Sequence, residues 1–257
     1  QVLLDKSINS IKSRGIFKSV KANTKIDDSD NQKKIIDITV EESPTGEIFA
    51  GAGTGTSGAT ITAGIQEKNY LGKGIKLSTN FSLSEDEVKG KFSVINPNFR
   101  NTDRSINTTI ESTTSDFLST GGFKTSRTGF GVGTGFEQYD DFFFKPTFRT
   151  VYEDLTTNSS ASANLKKQQG SYFTTEVGYV FDLDKRNQRF QTTDGFQSKF
   201  TQKIPLISES NTLLNGYQFD TYHSYNDITT SLGLYLRAVT GLSDDVRISE
   251  RLNLPRK

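Results

Sequence analysis

The chain has no cysteine and no methionine, a single histidine (His223), and a net charge of only +1 over 257 residues. Without cysteine, disulfides, thiol chemistry and cysteine-ligated metals are excluded. With 31 basic residues against 30 acidic ones, there is no electrostatic footprint for nucleic acid or for a strongly charged partner. No apolar run approaches the ~20 residues that a helix needs to cross a bilayer. No secretion signal is visible either. A start at Gln1 with no methionine anywhere leads to the expectation that the sequence is an excerpt of a longer protein.

Hydrophobic residues make up 32% of the chain and the mean hydropathy is −0.54, too polar for a bundle of membrane helices. A β-barrel escapes that objection, because each strand is apolar only on its lipid face and the sequence averages out polar. Aromatic residues, 11% and all Phe or Tyr, suit the girdles of such a barrel as well as a core.

Read in order, the chain starts with apolar residues at Leu4, Ile8 and Ile11, a helical spacing. A helix over about 3–14 follows, stopped by Gly15, with Phe17 and Val20 packed beneath it. Segments 21–26 and 34–42 read as a hairpin around a polar turn at 27–33. Glu41-Glu42-Ser43-Pro44-Thr45-Gly46 reads as a hinge. Beyond it the period is two: Ile75, Leu77, Thr79, Phe81 and Leu83 alternate with Lys76, Ser78, Asn80 and Ser82. Strands are expected near 47–56, 59–68, 74–84, 88–96, 104–114, 123–138, 142–156, 171–183, 193–204, 213–226 and 229–241. Most have about the 9–11 residues that a tilted strand needs to cross a bilayer. A β-sandwich or β-helix would alternate too, but the length and number of these strands favour the barrel. The expected fold class is therefore an all-β antiparallel transmembrane barrel over 44–257, preceded by part of an α/β module over 1–43.

Several patterns suggest chemistry. Gly53-Thr54-Gly55-Thr56-Ser57-Gly58 fits G-x-G-x-x-G, but a dinucleotide site needs a helix after it, and Ala59-Thr60-Ile61-Thr62-Ala63 reads as strand. His223 falls on one face of a strand between Thr221 and Tyr225, in a packed or interfacial position. Asp182-Leu183-Asp184-Lys185-Arg186 lacks the bidentate acid that finishes a calcium cage, and reads as a solvated turn. No G-x-S-x-G elbow occurs. The residues point to no enzyme, no metal and no cofactor.

Five stretches, in order, resemble the BamA family of outer-membrane assembly factors, which join periplasmic POTRA domains to a 16-stranded barrel. Ile8-x-x-Ile11 with Gly15-Ile16-Phe17-x-x-Val20 looks like the second helix of a POTRA domain. Val40-Glu41-Glu42-x-x-Thr45-Gly46 looks like the last POTRA strand entering the barrel. Asn69-Tyr70-Leu71-Gly72-Lys73-Gly74 resembles the N-F-L-G-x-G turn, with Tyr70 for Phe, and Asn96-Pro97-Asn98-Phe99 the D-P-x-F turn, with Asn96 for Asp. Tyr179-x-Phe181-Asp182, Asp184-x-Arg186 and Thr192-Thr193-Asp194-Gly195 resemble the D-x-R…P-x-x-G stretch, with Thr192 for Pro. The resemblance spans the whole chain, and it places the end near the eleventh barrel strand, before the family's R-G-F motif.

What the resemblance implies is insertion of β-barrel proteins into the outer membrane of a Gram-negative bacterium, with the POTRA side in the periplasm. Clients would pair their C-terminal strand with the first barrel strand, by β-augmentation of its unpaired backbone groups. The client-accepting edge is then Ile48, Phe49, Ala50, Gly51, Ala52, Gly53, Thr54, Gly55 and Thr56, a strand with little side-chain bulk to hold a seam shut. The implied partners are unfolded barrel clients, accessory lipoproteins bound through POTRA domains, and the lipid bilayer. ATP and metals have no part, since client folding runs downhill. Alternatives are a related polypeptide exporter, the membrane anchor of a larger protein such as a patatin-like lipase, and a passive porin. The glycines of the first strand have an alternative reading as well, as mere permission for tight curvature.

Overall fold

Period-two sequence with turn residues between the runs gives antiparallel strands, and the computed structural model consists of little else. It describes residues 2–27, 30–55, 58–188, 191–209, 211–242 and 245–252. A helix, α1 (Val2–Ser13), leads into a two-stranded hairpin, β1 (Phe17–Asp27) and β2 (Asp30–Glu42). Gly15, at φ 66°, ends the helix as expected. Ile16 and Val20 are the buried residues beneath α1, whereas Phe17 is only half-buried. β2 runs through Glu42 and the next strand starts at Gly46, so the hinge contracts to Ser43, Pro44 and Thr45.

Eleven strands then pair consecutively in one antiparallel sheet. They are β3 (Gly46–Gly55), β4 (Gly58–Tyr70), β5 (Ile75–Ser84), β6 (Glu87–Asn96), β7 (Ser105–Phe117), β8 (Phe123–Tyr139), β9 (Phe142–Thr157), β10 (Gly170–Asp184), β11 (Gly195–Ser208), β12 (Thr212–Tyr225) and β13 (Ile228–Gly241). A short helix, α2 (Ala163–Lys167), interrupts the connection from β9 to β10. The end of the sheet nearest the α1–β2 unit is called the proximal rim, and the opposite end the distal rim.

The register sorts the side chains into two faces. Across the outer face run rows such as Val94, Thr108, Val132, Phe148, Val177 and Ile204. Aliphatic and aromatic groups stay exposed there, which is stable only against lipid. At the proximal rim the outer face carries an aromatic belt. Phe144 lies 5.8 Å from Phe136 and 5.2 Å from Phe181, and Tyr179 lies 6.3 Å from Phe200.

The inner face holds the charges and the small packed core. Leu155, only 1% exposed, Val151 and Ala161 are buried near the distal rim, where the loop with α2 folds inward. The acidic–basic stretch at 182–186 is not the solvated turn its composition suggests. Asp182 is buried on the inner face, 2.6 Å from Lys145 Nζ, and accepts a 2.8 Å hydrogen bond from Gln197. Strand alternation turned that carboxylate inward, where a lysine of the neighbouring strand neutralises it.

Candidate functional site

β3 is one edge of the sheet. Its only partner strand among the described residues is β4, in the register Ile48↔Ile65, Ala50↔Ala63, Ala52↔Ile61 and Thr54↔Ala59. Among the described residues no strand pairs with its other side. Ile48, Phe49, Ala50, Gly51, Ala52, Gly53, Thr54 and Gly55 all lie on this strand, and Thr56 falls outside the described residues.

Side chains do little to fasten β3. Ile48 is 81% exposed, and Gly51 and Gly53 leave the inner face bare. The ring of Phe49 lies over Gly64 of β4. No side chain fits at 64, because a Cβ would stand 2.6 Å from the Thr79 carbonyl oxygen and run into that ring. An aromatic covering a cross-strand glycine is a compact way to fix register with little packing.

The turn motifs gather at the proximal rim, beside the point where β3 begins. Asn69 Oδ1 accepts from Gly74 N at 2.7 Å, closing the 69–74 turn, and Leu71, Gly72 and Gly74 adopt φ of 56°, 69° and 65°. Two of the three left-handed positions are glycine, which is why the spacing of Gly72 and Gly74 matters. The Thr45 carbonyl accepts from Lys68 N at 3.2 Å, tying this turn to the entry of β3. In the neighbouring turn Asn96 Oδ1 accepts from Asn98 N at 3.1 Å, and Asn98 Oδ1 accepts from Arg14 at 2.9 Å, joining barrel and α1 ends. Arg186 forms two hydrogen bonds to Asp184, at 2.7 and 2.8 Å, in the third motif. The hydrogen-bonded Asp184 carboxylate raises the Arg186 guanidinium pKa further above its already high range. His223 is not packed. It stands exposed at the same rim, 3.5 Å from Asp194, because β12 ends there.

Two features escaped the sequence reading. On β8 the inward positions Gly129, Gly131, Gly133 and Gly135 form a bare column. Arg149 of β9 crosses it to form an ion pair with Glu111 of β7, and also lies 3.6 Å from Glu176, which is 3.4 Å from Lys203. Gly129, Gly131 and Gly133 line, with these charged groups, a concavity of about 230 Å³ on the inner wall. The alternating glycines at 129–135 were the available signal, but nothing local links Arg149 to Glu111. The second is a distal segment, 245–252, folded back against the inner wall.

Residues 69–254 match the sequence model of a family described as the Omp85 superfamily domain. Among solved structures the fold is similar to that of BamA from Haemophilus ducreyi lacking POTRA domains 1–3. The TM-score is 0.66 at 20% identity, covering 91% of this chain and 49% of that one. It is also similar to CdiB from Acinetobacter baumannii, with a TM-score of 0.55 at 10% identity, covering 95% of this chain and 47% of that one. The chain thus spans about half the length of either structure.

Proposed function

The chain belongs to the Omp85 superfamily, and from that premise we propose that it forms part of a non-enzymatic machine that inserts β-barrel proteins into an outer membrane. The observation that carries this reading is β3 itself, the first strand of the eleven-stranded sheet, built from small residues and laddered to β4. Client strands dock there by main-chain hydrogen bonds, which suit many sequences because side chains contribute little. Residues 1–43 act as the end of a POTRA domain on the periplasmic side, where further domains recruit accessory lipoproteins. The turn Asn69, Tyr70, Leu71, Gly72 and Gly74 serves as the brace that sets the entry of β3. The aromatic belt at the proximal rim marks the periplasmic membrane interface.

A second reading is favoured by the polar, charge-paired inner wall: export of a soluble polypeptide through the lumen. Reconstitution of the full-length protein in liposomes separates the two. Insertion predicts that an unfolded barrel client acquires heat-resistant, folded gel mobility about tenfold faster than in protein-free liposomes. Export predicts no such acceleration, together with protease protection of a soluble passenger inside the vesicles.

A further inference from the structure

The charges of the inner wall are matched across β7 to β10. Arg127 meets Glu153, Lys145 meets Asp182, and Arg149 meets both Glu111 and Glu176. Across β11, β12 and β13 the matching fails. Register turns Lys199 and Lys203 of β11, Gly216 and Gln218 of β12, and Tyr235 and Arg237 of β13 to the lumen. Among the described residues neither Lys199 nor Arg237 belongs to an ion pair. Asp182 lies opposite Lys199 in the ladder, but Lys145 holds it at 2.6 Å and Gln197 at 2.8 Å. Asp220 accepts from Gln218 at 2.6 Å. Lys203 is 3.4 Å from Glu176 on the β10 side, a carboxylate it shares with Arg149.

The three cations are spaced as well as gathered. Lys199 is level with Gln218 and Tyr235, Thr201 with Gly216 and Arg237, and Lys203 with Leu214. Along the strands the charges therefore come in the order Lys199, Arg237, Lys203, each two residues beyond the last, a step of about 6.6 Å. The floor between them is bare: a Cβ added at Gly216 would find nothing nearer than the Thr201 Cβ, at 3.7 Å. The Arg237 guanidinium carbon lies 4.9 Å from the centre of the Tyr235 ring, a stacking that orients the cation and leaves its N–H donors unused. Together these groups line a concavity of about 180 Å³, and no carboxylate is among its lining residues.

We propose that this cleft binds an acidic polypeptide segment in extended conformation, with Asp or Glu at alternate positions facing Lys199, Arg237 and Lys203 in turn. Side chains on one face of an extended chain repeat about every 6.8 Å, close to the step between the cations. A lone phosphate or carboxylate could meet only part of a row that is about 13 Å long. Gly216 lets the segment approach the wall, and Gln218 offers a hydrogen-bonding side chain beside it. Cations brought together without carboxylates repel one another, and an anionic chain relieves that repulsion as it binds. The proposal rests on the inner wall alone and needs neither insertion nor export to hold.

The test is a binding measurement on the full-length protein in detergent micelles, by fluorescence anisotropy at constant ionic strength. The probe is a short labelled peptide in which Asp alternates with Gly. It is expected to bind about tenfold more tightly than the same peptide with Asn for Asp, and about threefold more tightly than one with its Asp residues in a single run. Lys199→Gln with Arg237→Gln should bring the alternating peptide down to the level of the Asn peptide. Either substitution alone should give a partial loss, and supplies the result should the double variant not fold by heat-modifiable gel mobility. Lys68→Gln with Lys73→Gln, the same loss of charge at the proximal rim, should leave binding unchanged. Equal binding of the Asp and Asn peptides would overturn the proposal. So would equal binding of the alternating and single-run peptides, or displacement of the probe by millimolar inorganic phosphate, since either marks a site for any anion.

Discussion

Replacing Arg149 with leucine is expected to lower the stability of the barrel by about 3 kcal/mol, more than any other single change to its wall. Hydrogen bonds to charged partners contribute roughly 1.5–3 kcal/mol each, and Arg149 serves both Glu111 and Glu176. Its loss leaves two carboxylates facing each other across β8 and β9, with Lys203 able to reach only Glu176. Glu111→Leu should cost less, because Arg149 keeps Glu176. The double variant should come out about 1–2 kcal/mol more stable than the sum of the singles, the coupling of a direct pair. Urea titration of the folded barrel in bilayers, followed by heat-modifiable mobility, measures all three. Gly129→Val should resemble Arg149→Leu: a Cβ at 129 already stands 3.4 Å from Arg149 Nη2, and a branched side chain closes the crossing. Additive effects would mean that the cross-strand pair does not hold the wall.

Filling the bare face of β3 is expected to do the opposite to stability and far more to function. Gly51 has only the Thr62 hydroxyl, at 3.4 Å, near the site of an added Cβ, and Gly53 has nothing within 4 Å. A Cβ is accommodated at both. Glycine within a strand costs roughly 0.5–1 kcal/mol through backbone freedom, so a Gly51→Val, Gly53→Val variant should hold the β3–β4 hairpin at least as firmly as before. A stiffer, bulkier first strand adapts less readily to incoming strands, and the rate of client assembly should fall about tenfold. If the glycines served only curvature, the variant would destabilise the barrel and leave the per-folded-molecule assembly rate intact. The two measurements, stability and assembly, thus separate the readings by sign.

Which parts of this were legible in the sequence follows from which forces are local. All eleven strands of the sheet could be placed, because one face meets lipid and the other does not, and that contrast repeats every second residue. Their ends moved by one to four residues where ladders run into turns: β4 continues to Tyr70, and β11 opens at Gly195, whose φ of 96° suits glycine. The small residues of 48–55 were visible as composition, and the structure places them on β3, the first strand of the sheet. Inner-face chemistry was not legible. Arg149 and Glu111 lie two strands apart, and Asp182 finds Lys145 across a ladder, so each pair depends on register that no short window contains. Nothing in the sequence marks Arg247, and only the fold places Tyr172 beneath it.

The account stands or falls on whether clients pair with β3, and no native cysteine of these 257 residues competes with the introduced ones. Single cysteines are placed at Ala50, Ala52 and Thr54 of the full-length protein, and one in the C-terminal strand of a stalled barrel client. Disulfide formation is then followed in membranes. Thr175 is the control, because it is already paired on both sides, with Thr150 and Ile207. Crosslinks that follow a single register along 50, 52 and 54 and are missing at 175 are the predicted result. No crosslink at any of the three, with the client assembled at its normal rate, would contradict the edge mechanism and leave export through the lumen as the better reading.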